Sequence, residues 1–97
     1  MAVKLLDDIS TDTVGSAFKT DGGSKTFHCW GTFGSGTVSL EASSDGTNWT
    51  VLSISGTAAE FTTAKVAFIE RRGQGMHVRA SLSGSSGASG VNAWLHD

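Results

Sequence analysis

The chain has no proline, one cysteine and few charges, and its 97 residues contain no long apolar run. Each scarcity excludes something. A lone cysteine, Cys29, leaves no disulfide within the chain, so the fold is not built around oxidation and suits assembly in a reducing cytosol. No apolar stretch approaches the ~18 residues of a membrane helix. The opening, Met1 to Asp8, meets two acids before any apolar core of a leader forms, so no secretory signal is expected. The formal charge is −2, and the basic residues concentrate only at Arg71-Arg72, with Arg79 nearby and Glu70 adjoining. Neutralising a run of phosphates needs a stripe of Lys or Arg, so neither nucleic acid nor an anionic membrane is an expected partner. Disorder couples low hydrophobicity with high charge or abundant proline. Here charged residues make up 16% and proline is absent, which leaves an ordered domain jointed by its 13 glycines.

What the chain does have is alternation. Met76, Val78, Ala80 and Leu82 fall on one side of a period-two pattern, with His77, Arg79 and Ser81 on the other. Successive side chains of a strand point to opposite faces, so this is a strand with one dry face. Ser24 to Phe33 repeats the pattern: Phe27, Cys29, Gly31 and Phe33 face one way, and Thr26, His28, Trp30 and Thr32 the other. Cys29 thus reads as a small buried hydrophobe. Val38, Leu40 and Ala42, and later Val91, Ala93 and Leu95, continue the apolar side, with Asn92, Trp94 and His96 opposite the last set.

Glycine and aspartate punctuate these runs. Asp21-Gly22-Gly23 is a turn, Gly34-Ser35-Gly36 a hairpin connection, and Ser44-Asp45-Gly46-Thr47 a turn whose Asp-Gly pair favours type I′. Trp49 to Ile54 and Lys65 to Glu70 are further strands, with a helical turn or irregular crossover over Ala58 to Ala64 between them. Arg71 to Gly75 turns the chain, and Gly84 to Gly90 is a flexible connection. About seven or eight short antiparallel strands with turn signals roughly every 8–12 residues are the pattern of a single all-β sandwich, jelly-roll or immunoglobulin-like in connectivity. Residues 1–13 form an N-terminal arm or edge strand, and 14–97 the sandwich domain.

Chemistry is sparse. His28 and Cys29 are neighbours in sequence but point to opposite faces of one strand, and no Gly-x-Ser-x-Gly elbow is present, so no catalytic residue and no enzyme activity is expected. Neither a Cys-x-x-Cys nor a His-x-x-x-His pair exists for zinc, and Asp7-Asp8 sits in nothing like a calcium loop. Gly31 to Gly36 lacks the Lys-Ser/Thr ending of a phosphate loop. No metal or cofactor is implied. Asn48-Trp49-Thr50 matches a glycosylation sequon without a secretion signal to give it meaning. The informative residues are Trp30, Trp49 and Trp94, because large flat rings exposed on strands mark protein interfaces or sugar-stacking platforms.

Ser43 to Trp49 resembles the Asp-box hairpin of sialidase-type propellers, one residue short of the Ser-x-Asp-x-Gly spacing and present once. Trp30 to Trp49, a Gly-rich turn leading to a Thr-Val-x-Leu strand, an Asp-Gly turn and a Trp, resembles small bacteriophage virion proteins, as does Met76 to Gly84. The resemblance covers the middle half of the chain. It implies a non-enzymatic structural protein of the virion, assembled in the host cytoplasm. The role expected is that of a capsid decoration (cement) protein, which clamps the major capsid protein or another virion protein and forms a homo-oligomer, with a trimer as the first guess. The residues expected at its interface are Val3, Leu5 and Leu6 in the arm, Trp30 and Trp94 as anchors, and Arg71 and Arg72 for acidic patches. The alternative is a glycan-binding fibre or tail module using the exposed tryptophans.

Overall fold

A computed structural model of the chain describes residues 2–19, 25–54, 56–69 and 76–96. These form β1 (Ala2–Ile9), β2 (Thr13–Val14), β3 (Phe18–Lys19), β4 (Lys25–Thr32), β5 (Thr37–Ser43), β6 (Thr50–Val51), β7 (Ser53–Ile54), β8 (Thr57–Ala58), β9 (Glu60–Phe61), β10 (Lys65–Ile69), β11 (His77–Ser83) and β12 (Ser89–His96), with no helix among the described residues. The turns expected at Asp21–Gly23 and Arg71–Gly75 lie outside the described residues.

Two antiparallel sheets make a sandwich. One has the order β1-β12-β4-β10, and the other β2-β11-β5-β6, with β3 also on β11 and β9 also on β5. Counting β2 with β3 and β6 with β9 as single interrupted strands, the chain changes sheet at every step except from β5 to β6. This is the strand order of a jelly roll, and it decides between the two connectivities that the sequence left open.

The interior follows from the alternation. Phe27 and Cys29 of β4 and Val91, Ala93 and Leu95 of β12 face Val38 and Leu40 of β5 and Val78, Ala80 and Leu82 of β11, all buried. Phe33, Ala59, Leu5 and Leu6 complete the core. Burial pushes the Cys29 thiol up to about 11, so it is a core atom with little thiolate character.

Several joints differ from expectation. Gly34-Ser35-Gly36 does not make a hairpin: both sides of β4 are already taken by β12 and β10, and the chain crosses to β5 in the opposite sheet. Gly34 takes a positive φ there, and the Gly36 amide donates to the Phe33 carbonyl. The turn after β5 is a true hairpin, since Glu41 pairs with Val51 and Ala42 with Thr50. It is not type I′, because that turn needs positive φ at both central residues, and of the Asp45-Gly46 pair only Gly46 has it. Residues 58–64 contain no helical turn: after β9 the chain makes the irregular crossover, over 62–64, to β10 in the other sheet. The hairpin β7–β8 is inserted between β6 and β9, and the edge of β5 resumes where the Leu40 amide donates to the Ala59 carbonyl. Gly84 to Gly90 is tied down: Asp12 accepts from the Gly84 and Ser85 amides, and the Ser86 amide donates to Ser35 Oγ.

Gly15 is required where β1 crosses the broken strand of the second sheet. A Cβ there would lie 2.0 Å from the Leu5 carbonyl oxygen.

Candidate functional site

The outer face of the β1-β12-β4-β10 sheet carries the site. On β4, Thr26, His28 and Trp30 alternate outward, opposite His96, Trp94 and Asn92 of β12. Lys4 of β1 pairs with Trp94, while Val66 and Phe68 of β10 pair with His28 and Thr26. Cross-strand partners share a face, so the registers bring these side chains together.

Four rings form a continuous ladder. His28 and Trp30 have centroids 4.5 Å apart, Trp30 and Trp94 5.4 Å, and Trp94 and His96 5.9 Å. The two tryptophans are tilted by 58°, and Lys4 Nζ lies 5.0 Å from the centroid of the Trp94 ring. Such ring pairs contribute about 0.5–1.5 kcal/mol each beyond area burial. All four rings are half-buried. Trp94 Nε1 is buried with no hydrogen-bond acceptor among the described residues. Beside the ladder the apolar surface opens out: Phe68 is 75% and Val66 50% exposed.

The other outer face is mainly polar and internally partnered, with Val14 of β2 its one large exposed apolar side chain among the described residues. Arg79 of β11 donates from Nε to Glu41 of β5 at 2.7 Å, and its guanidinium lies 4.2 Å from the Trp49 ring centroid. The hairpin holding Trp49 is built on two side chains. Ser43 Oγ donates to Asp45 Oδ1 at 2.8 Å and accepts from the Gly46 amide at 2.9 Å. Asp45 accepts from the Asn48 and Thr47 amides and from Asn48 Nδ2. These bonds, led by the Asn48 amide, hold the Asp45 carboxyl well below the usual carboxylate range. The Asp-box-like segment is therefore a self-contained turn whose tryptophan is occupied by arginine.

The residues expected at an interface divide as follows. Trp30 and Trp94 are brought together on the outer face. Leu5 and Leu6 are instead buried at 2% exposure in the chain's own core, because a register shift between Lys4 and Leu6 turns both consecutive side chains inward. Val3 is half-buried against that core. Arg71 and Arg72 lie outside the described residues. Sequence reasoning missed His28 and His96 as rungs of the ladder, although the period-two pattern that placed Trp30 and Trp94 outward places them too. It also missed Val66 and Phe68. Lys65 to Ile69 is apolar after its first residue, so no alternation marks which side is exposed.

Among the described residues no group of three or more His, Cys, Asp or Glu is arranged to hold a metal ion. Cys29 and His28 do fall on opposite faces, one buried and the other in the ladder. In comparison with known proteins, the chain matches no family model, no curated protein and no solved structure.

Proposed function

We propose that this chain is a non-enzymatic structural protein of the virion, a capsid decoration protein that docks on assembled shell subunits through the outer face of β4, β12 and β10. The ring ladder carries this reading. An apolar face of interlocked rings, edged by exposed Phe68 and Val66, suits the dry centre of a protein interface, where aromatic anchors dominate binding. Repetition over many shell positions then multiplies modest single contacts.

Sugar stacking, the alternative reading, needs a free ring face. Trp49 is covered by Arg79, and Trp94 is engaged by Lys4, Trp30 and His96. The rings are turned to one another rather than presented as flat platforms. The geometry therefore favours a protein partner over a glycan.

The test is cosedimentation of the purified chain with empty shells of the virus that encodes it, alongside a sugar panel read by tryptophan fluorescence. Saturable shell binding without a sugar response supports decoration. A sugar response without shell binding overturns it in favour of the fibre or tail module.

A further inference from the structure

The four sheet edges are not alike. An open edge presents unpaired amides and carbonyls that template another strand, and proteins blunt edges with bulges, charges or interruptions. β1 is bulged twice, with register shifts between Lys4 and Leu6 and between Leu6 and Ile9, and it carries Lys4, Asp7 and Asp8. On the second sheet one edge is broken into β2 and β3, and the other is broken by the inserted hairpin β7–β8. β10 carries a single charge, Lys65 at its first position, and has neither a bulge nor an interruption. It pairs with β4 without a shift from Lys65↔Cys29 to Ile69↔Lys25, and its other side is unpaired among the described residues. It also carries Val66 and Phe68, two of the three exposed large hydrophobics in the described residues.

We propose that β10 pairs antiparallel with β10 of a second copy of this chain about a two-fold axis at Ala67, joining two four-stranded sheets into one. Directly opposed residues of an antiparallel pair share a face, so the axis must pass through a residue position. At Ala67 all five residues are used. Val66 then opposes Phe68 of the second copy, and Phe68 opposes Val66, the aromatic–β-branched pairing that sheets favour. An axis at Phe68 would leave Val66 without an opposite number in the strand. The charges are compatible as well. The two Lys65 side chains sit at opposite ends of the paired segment, roughly 13 Å apart along the strands at ~3.3 Å per residue, beyond the ~8 Å screening length of physiological salt.

The edge also has apolar space beside it. A shallow apolar depression lined by Ile54, Ala58, Phe61, Lys65, Val66 and Ala67 opens at the β10 edge. In the Ala67 register, Ile69 of the second copy stands opposite Lys65, one of the residues that line this depression. The exposed surface of Phe68 and Val66 from two copies amounts to roughly 400–500 Å², with aromatic side chains burying ~150–250 Å² each. Stable interfaces start near ~1,200 Å², so the dimer is weak and dissociates on dilution. The contact is isologous, giving a pair rather than a three-fold ring, and it stands whether or not the chain decorates a shell.

Sedimentation analysis of the full chain over a wide dilution series tests this directly. The wild type is expected to move from monomer to dimer with concentration. Val66→Glu with Phe68→Glu opposes like charges and abolishes the dimer. Val66→Glu with Phe68→Lys opposes unlike charges at both positions of the Ala67 register and restores it, whereas an axis at Phe68 would oppose two lysines. Both side chains project into solvent, and circular dichroism checks that each variant keeps its fold. A wild type that stays monomeric at every concentration overturns the proposal. So does a trimer, a double-glutamate variant that dimerises as the wild type does, or a charge-swapped variant that stays monomeric.

Discussion

The two outer faces of this sandwich are built on the same alternating pattern and end in opposite chemical states. On the β11–β5 side, Arg79 has Glu41 and Trp49, and Ser43 and Asp45 satisfy each other and the turn amides. Apart from Val14 of β2, 61% exposed opposite Ser81, that face is finished within the chain. On the β12–β4 side, four rings lean on one another, the Trp94 indole N–H has no acceptor among the described residues, and Phe68 stands in solvent. A face whose polar groups are satisfied gains little from a partner. An exposed apolar face is the one whose free energy falls on being covered.

The largest effect expected strikes both faces together. Phe27 is fully buried between the sheets and stacks on Phe61 at 5.7 Å. Phe27→Ala should cost about 3–5 kcal/mol, a large share of the ~5–15 kcal/mol that holds a domain of ordinary stability, and urea unfolding measures it. The next change separates the faces. Arg79→Ala removes a partly screened cross-strand ion pair and a cation–ring contact, so about 1 kcal/mol should be lost in the same assay with shell binding unchanged. A loss of binding here would erase the distinction between the two faces.

Acid sharpens the contrast further. Asp45 is held low chiefly by the Asn48 and Thr47 amides, and Asp12 by the Ser85 hydroxyl and amide. Both carboxyls are depressed in the folded state. Their contribution is complete above the ordinary carboxylate value near 3.8 and is lost as pH falls through the lower folded values. Thermal unfolding should show a declining Tm below that value, and Asp45→Asn should flatten the decline. The smallest effect belongs to Trp94→Phe. It keeps a ring in the ladder and deletes a donor with no acceptor, so stability should stay within about 1 kcal/mol of wild type or rise slightly.

What was legible in the sequence was whatever period two controls. β4 as far as Trp30, β11 and β12 from Val91 declare their inner and outer faces, and with them the outward Trp30 and Trp94 and the buried Cys29, whereas Gly31, read as inward, is exposed where β4 takes a positive φ. What was not legible depends on partners distant in the chain. Gly34-Ser35-Gly36 has the same local chemistry whether the strand returns beside its neighbour or crosses to the other sheet, and only the occupied flanks of β4 decide. Leu5-Leu6 breaks alternation because β1 is bulged, and the burial of both shows only against β12. Asp12 looks like a solvated acid until Ser85, 73 residues away, reaches it. The exposed side of β10 is hidden in an apolar run for the same reason.

On the proposed function, the ring-bearing face, and not the serine-rich one, docks the partner. The most direct measurement compares the affinity of two variants for empty shells: Trp30→Glu on the ladder and Ser83→Glu on the exposed end of β11, each checked by circular dichroism. The account predicts that Trp30→Glu abolishes binding while Ser83→Glu leaves it at the wild-type value. Binding that survives Trp30→Glu and fails with Ser83→Glu would contradict it and move the docking surface to the opposite sheet.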